Sequence, residues 1–141
     1  MRIWMVPALV GVLTLGGCAS DDMGPSQVEL RAQWDAQNVY PKNYREDLLA
    51  YMSSYLNNPN HIRDAGISMP QLKYKGPGDR YMVCVRYNAH DDHGHYAGVK
   101  EGAAVYVSGR LDHFIDQKKQ VEQLCQDAAF APFPALETLG R

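Results

Sequence analysis

An apolar run from Ile3 to Leu15, led by Arg2 and closed by Gly16-Gly17-Cys18, divides this chain before any folding argument begins. A short positive start, an apolar core and small residues ahead of a processing point are the plan of a secretory signal peptide. The run is short for a membrane span, which needs ~20 apolar residues, and a core helix rarely ends in Gly-Gly-Cys. Residues 1–17 are therefore expected to be removed and the remainder to fold outside the cytoplasm. That leaves 124 of the 141 residues, enough for one small domain and a tether.

The segment Leu15-Gly16-Gly17-Cys18 resembles the lipobox of bacterial lipoproteins, in which a small-residue pair precedes the cysteine that is acylated. The resemblance implies that Cys18 becomes the mature N-terminus and carries lipid. Each buried methylene of such a lipid contributes about 0.8 kcal/mol, and more than one chain anchors stably. In enteric lipoproteins an aspartate after the cysteine favours the inner membrane. Ala19 stands there instead, so the expected location is the outer membrane, facing the periplasm.

With Cys18 assigned to lipid by that resemblance, Cys84 and Cys125 remain. In an oxidising compartment two cysteines most simply form one disulfide. A redox or metal-binding pair is the alternative, and it lacks the Cys-x-x-Cys spacing. The 14 basic residues, less Arg2, stand against 16 acidic ones. No basic stripe marks a nucleic-acid partner.

Residues 18–38 read as a lipid-anchored tether, with small, polar and breaker residues in Ala19-Ser20-Asp21-Asp22-Met23-Gly24-Pro25-Ser26. Val28 to Trp34 has room for a helical turn that sets Leu30 and Trp34 on one side. Residues 39–141 read as a single domain. Tyr44, Leu48, Tyr51, Met52 and Tyr55 form a stripe at helical spacing, which predicts a helix over 42–57. The stripe reads as an interior face with hydroxyls at its rim, or as a platform for stacking sugars. Ile67 and Met69 alternate, Pro70 interrupts, and Leu72 and Tyr74 resume in the opposite phase, as at an edge or a bulge. After the turn Lys75-Gly76-Pro77-Gly78-Asp79, Tyr81, Val83, Val85 and Tyr87 face one way and Met82, Cys84 and Arg86 the other. A third strand is expected within Tyr96 to Leu111, bent at Gly102 or Gly109. Phe114, Val121, Leu124, Cys125 and Ala128 predict a second helix at 115–128. Ala131-Pro132-Phe133-Pro134 should lie extended. The expected fold is α+β: a three-stranded antiparallel meander flanked by an N-terminal and a C-terminal helix. A disulfide would draw the last helix onto the Met82/Cys84 face and leave the opposite face to the tyrosine-striped helix.

One cluster carries metal-ligand chemistry: His90-Asp91-Asp92-His93-Gly94-His95. Alternation puts His93 and His95 on one side, and a tight turn folds His90 towards them. Imidazoles and carboxylates suit zinc or copper. The same composition also makes a good solvated turn. Ser108-Gly109 lacks a Gly-x-Ser-x-Gly context, and Gly76-Pro77-Gly78 precedes no helix that would cradle phosphate. Arg80, Arg86 and Arg110 read as cross-strand partners or as a small basic patch.

Tyr40-Pro41-Lys42-Asn43-Tyr44-Arg45 and Val83-Cys84-Val85-Arg86-Tyr87-Asn88 resemble segments of small uncharacterised alphaproteobacterial lipoproteins, a likeness that implies no activity. The architecture is also similar to SmpA/OmlA-type lipoproteins of the outer-membrane barrel assembly machinery, whose helix pair precedes the sheet. The expectation is a lipid-anchored, non-enzymatic envelope protein that binds or scaffolds another envelope protein and needs no cofactor. The alternative is a periplasmic metal-binding lipoprotein that uses His90, His93 and His95 for weak zinc or copper binding. A periplasmic hydrolase ranks third.

Overall fold

The computed structural model describes residues 24–76 and 78–140. The expected lipobox, Cys18 and the first part of the expected tether lie outside the described residues. Helix α1 spans Gln27–Ala36, α2 Tyr44–Tyr55, α3 Lys118–Cys125 and α4 Pro134–Glu137. Strands β1 (Arg63–Ile67), β2 (Gln71–Lys75), β3 (Gly78–His90), β4 (Tyr96–Val107), β5 (Arg110–Ile115) and β6 (Ala131–Pro132) form one six-stranded sheet. Its order is β5-β4-β3-β1-β6, with β2 also paired to β3. The class is α+β and the pairing antiparallel, but there are more strands than the meander expected from sequence.

The extra strands have local causes. The first expected strand is two, because Pro70 has no N–H for a ladder. β1 and β2 lie along the same side of β3, and Ser68 bridges the break. Its N–H donates to the Cys84 carbonyl and its Oγ accepts from the Cys84 N–H, both at 2.8 Å. The third expected strand is also two. Ser108 (φ 51°) and Gly109 (φ 76°) both take the left-handed conformation of a tight hairpin turn, and the chain reverses into β5. Phe114 and Ile115 therefore belong to a strand, and α3 starts three residues later than predicted. The tail is extended only over β6, which pairs with β1. Pro134 then occupies the first turn of α4, where its missing N–H costs nothing, and Leu136 is buried.

The sheet buries both faces. On one, Val83, Val85, Tyr87, Ala104 and Tyr106 pack with Leu48 and Met52 of α2 and Leu136 of α4. On the other, Met82, Cys84, Ala103, Val105 and Ile115 pack with Val121 and Cys125 of α3. Cys84 and Cys125 form the disulfide, with α-carbons 5.9 Å apart. Helix α3, which carries Cys125, covers the Met82/Cys84 face and the tyrosine-striped α2 the other, as expected from the two cysteines, with α4 joining α2 on its face.

Residues read as tether continue into α1. Ser26 and Glu29 make a reciprocal capping box at its start. Its end is pinned to β3: Trp34 Nε1 and Asn38 Nδ2 donate to the Asp79 carbonyl at 2.6 and 2.9 Å. The Arg80 guanidinium, only 3 % exposed, lies 3.5 Å from the Trp34 ring and donates to the Trp34 carbonyl and to Gln37 Oε1.

Candidate functional site

Strand β4 changes character halfway along. Tyr96 to Glu101 are exposed, whereas Gly102 to Tyr106 are buried. The boundary coincides with the end of β5, which pairs from Val107↔Arg110 to Ala103↔Ile115 and goes no further. Residues Tyr96–Gly102 thus pair with β3 on one side and have no strand on the other among the described residues. A strand edge without a partner presents alternate N–H and C=O groups ready for pairing.

The missing continuation of β5 leaves a notch of about 650 Å³, lined from both faces of the sheet. Tyr55, Tyr87 and Lys100 line one side, since Tyr87 and Lys100 are cross-strand partners on the α2 face. Val99 and Glu101 line the other, with Val121 and Glu122 of α3. Asp116 and Lys118 close the end where β5 stops. A second groove, of about 380 Å³, shares Tyr55, Tyr87 and Lys100 and continues towards Asn57, Asn58 and the β3–β4 turn.

The tyrosines are positioned from α2. Tyr51, Tyr55 and Phe114 form a ring cluster with centroids 5.1–5.4 Å apart. The outer edge of the Phe114 ring closes on the sheet at Gly102, which has no β-carbon to hold it off. Gly102 serves this close approach, not the bend expected from sequence. The Tyr55 hydroxyl donates to Asp116 Oδ2 at 2.8 Å. Burial first, then this hydrogen bond, pushes the Tyr55 phenol above its ordinary range, and burial raises Tyr87 as well. Both hydroxyls therefore stay protonated at neutral pH and act as neutral hydrogen-bonding groups. The stripe is largely interior, with Tyr51 and Tyr55 half-buried at its rim.

The histidine turn does not gather its imidazoles. His90 lies edge-on to Tyr96 at 4.3 Å and near His61 at 5.8 Å. Tyr96 is itself stacked under Arg63 and donates to the His61 carbonyl. His93 and His95 sit in the exposed turn, where Asp91 Oδ1 accepts both of their backbone N–H groups at 2.9 Å. The bond from the His95 N–H, foremost, holds the Asp91 carboxyl below its usual range. Asp91 is thus engaged in shaping the turn. Among the described residues, no group of three or more His, Cys, Asp or Glu side chains is arranged to hold a metal ion.

The three arginines do not form a patch. Arg80 is buried against α1, Arg86 stacks on Phe130 at 4.8 Å, and Arg110 pairs with Asp47 at 3.1 Å. Sequence reasoning missed the notch. A strand half that is exposed on both faces has no alternation to read, and the end of β5 was hidden inside a predicted helix.

Among the described residues, no helix is long and apolar enough to cross a membrane. Comparison with protein-family models, with curated proteins and with solved structures finds no match to this chain.

Proposed function

We propose that this is a lipid-anchored envelope protein, held through Cys18 in the outer membrane and facing the periplasm, that binds an extended segment of another envelope protein. The observation that carries the reading is the unpaired half of β4 inside its notch. An added strand would take its main-chain hydrogen bonds from the β4 edge. Its alternate side chains would enter the space beside Tyr55 and Tyr87 on one face and beside Val99 and Val121 on the other. The two grooves carry Asp91, Asp92, Glu101, Asp116 and Glu122 against Lys100 and Lys118. That balance favours a segment with a basic residue.

Photo-crosslinking side chains at Val99 and at Lys100 test this in intact cells. The two positions lie on opposite faces of one strand, so both are expected to capture the same short segment of one partner, whereas Ser53 on the exposed side of α2 captures none of it. Unrelated captures at the two positions, or none, would sink the reading. Cys18→Ser is expected to remain unlipidated and to release the protein from membranes. Wild-type processing and membrane attachment of that variant would remove the anchor from the proposal.

A further inference from the structure

Four exposed apolar side chains gather at the end of the molecule where α1 is pinned. Leu72 (48 % exposed) and Tyr74 (72 %) share one face of edge strand β2. Leu72 is the cross-strand partner of Tyr81, and Tyr81 meets Tyr40 (42 %) edge-on at 5.4 Å. Val39 (53 %) follows, against Gly109 of the β4–β5 turn. Lys73, on the other face of β2, is engaged by Asp127. Helix α2 covers the centre of this sheet face through Leu48 and Met52.

The patch adjoins the element nearest the expected anchor. Trp34 lies against Gly76 and Gly78 of the β2–β3 turn, and Arg31, one turn earlier, also reaches Gly78. Eight residues lie between Cys18 and Gln27, and an unstructured chain of that length would have a root-mean-square reach of ~16 Å. Helix α1 adds 10 residues, or about 15 Å. Because α1 is fixed to β3 through Trp34, Asn38 and Arg80, an anchor at Cys18 would attach to the element that packs beside this patch. Tyrosines beside aliphatic side chains suit the boundary between headgroups and acyl chains, where a ring finds an apolar body and a wet hydroxyl.

We infer that Val39, Tyr40, Leu72 and Tyr74 form a face that rests on the lipid surface and sets the orientation in which the β4 notch, at the far end of the β3–β4 hairpin, is presented to the periplasm. This rests on the lipid-anchor reading at Cys18.

Removal of residues 1–17 takes away Trp4 and leaves Trp34 as the sole tryptophan of the processed chain. The processed, lipidated protein is reconstituted in phosphatidylcholine vesicles containing a headgroup spin-labelled lipid. Trp34 is expected to lose most of its emission, while a fluorophore at Asp92→Cys keeps its own. Leu72→Asp with Tyr74→Asp, both exposed sites where folding should survive, is expected to restore the Trp34 emission. Circular dichroism checks that this variant is folded. Equal quenching at the two ends, or an unquenched Trp34 in protein whose acyl chains are verified by mass spectrometry, refutes the membrane contact and leaves the anchor standing. Concentration-dependent dimers in detergent that the double variant abolishes, with Trp34 unquenched, assign the patch to a second copy and refute it too. Absence of acyl chains on Cys18 overturns the anchor, and this inference with it.

Discussion

Replacing Cys84 and Cys125 together by alanine is expected to cost about 4 kcal/mol of stability and to lower Tm by about 15 °C. The bond closes a loop between positions 41 apart in sequence, and a loop of that length restricts the unfolded chain severely. The folded state offers little to compensate for its loss. Helix α3 has eight residues and no side-chain cap, and it buries only Val121 and Cys125. The core it covers is the smaller of the two. Urea unfolding of the double variant beside the wild type, with the wild type also measured under dithiothreitol, checks the result. A double variant that unfolds at the wild-type midpoint would show that packing alone holds α3. Crosslinking at Val99 and Lys100 in this variant is expected to weaken too, since α3 supplies Val121 and Glu122 to one wall of the notch.

Gly102→Ala is expected to cost about 2 kcal/mol, the scale of an overpacked core. A β-carbon there would fall 2.6 Å from Cε1 of Phe114 and closer still to Cζ. The ring has little freedom to retreat, because Tyr51 and Tyr55 pack against it at 5.2 and 5.1 Å. Two substitutions in direct contact should not add. Gly102→Ala combined with Phe114→Leu should therefore be more stable than the sum of the single changes implies. Chemical denaturation of all four proteins measures the coupling, and simple additivity would mean that Phe114 does not pack on Gly102.

How much of this was legible depended on whether a residue's neighbours were local. The stripe Tyr44, Leu48, Tyr51, Met52, Tyr55 predicted α2 because one helix face is buried against one sheet face. The alternation through β3 and the pairing of the two cysteines placed α2 and α3 on opposite faces. Phe114 misled, since its apolar side chain matches a helical spacing to Val121 although it lies on the other face of the sheet, and the Ser108-Gly109 turn was taken for a bend. Ser26-x-x-Glu29 carried a start signal for α1 within a stretch whose composition argued for a tether. For the candidate site, the histidines were conspicuous but bound to local tasks, as with Asp91 gathering the backbone of its own turn. The notch arises from unequal lengths of β4 and β5, a relation between distant residues that no local pattern records.

Arg80 also bears on where this domain begins. Its acceptors, the Trp34 carbonyl and the side chains of Gln37 and Asn38, all precede Val39. Arg80 has no carboxylate within ion-pair distance among the described residues; neutral oxygens at the negative end of a short helix accept its hydrogen bonds, and Asp112 and Asp35 act on its charge from farther away. A fragment trimmed to start at Val39, where composition turns globular, would hand that guanidinium to water and leave the β2–β3 turn without its indole cover. The unit of folding is the stretch that contains both a charge and the dipoles that solvate it, and here it reaches back to the Ser26 cap.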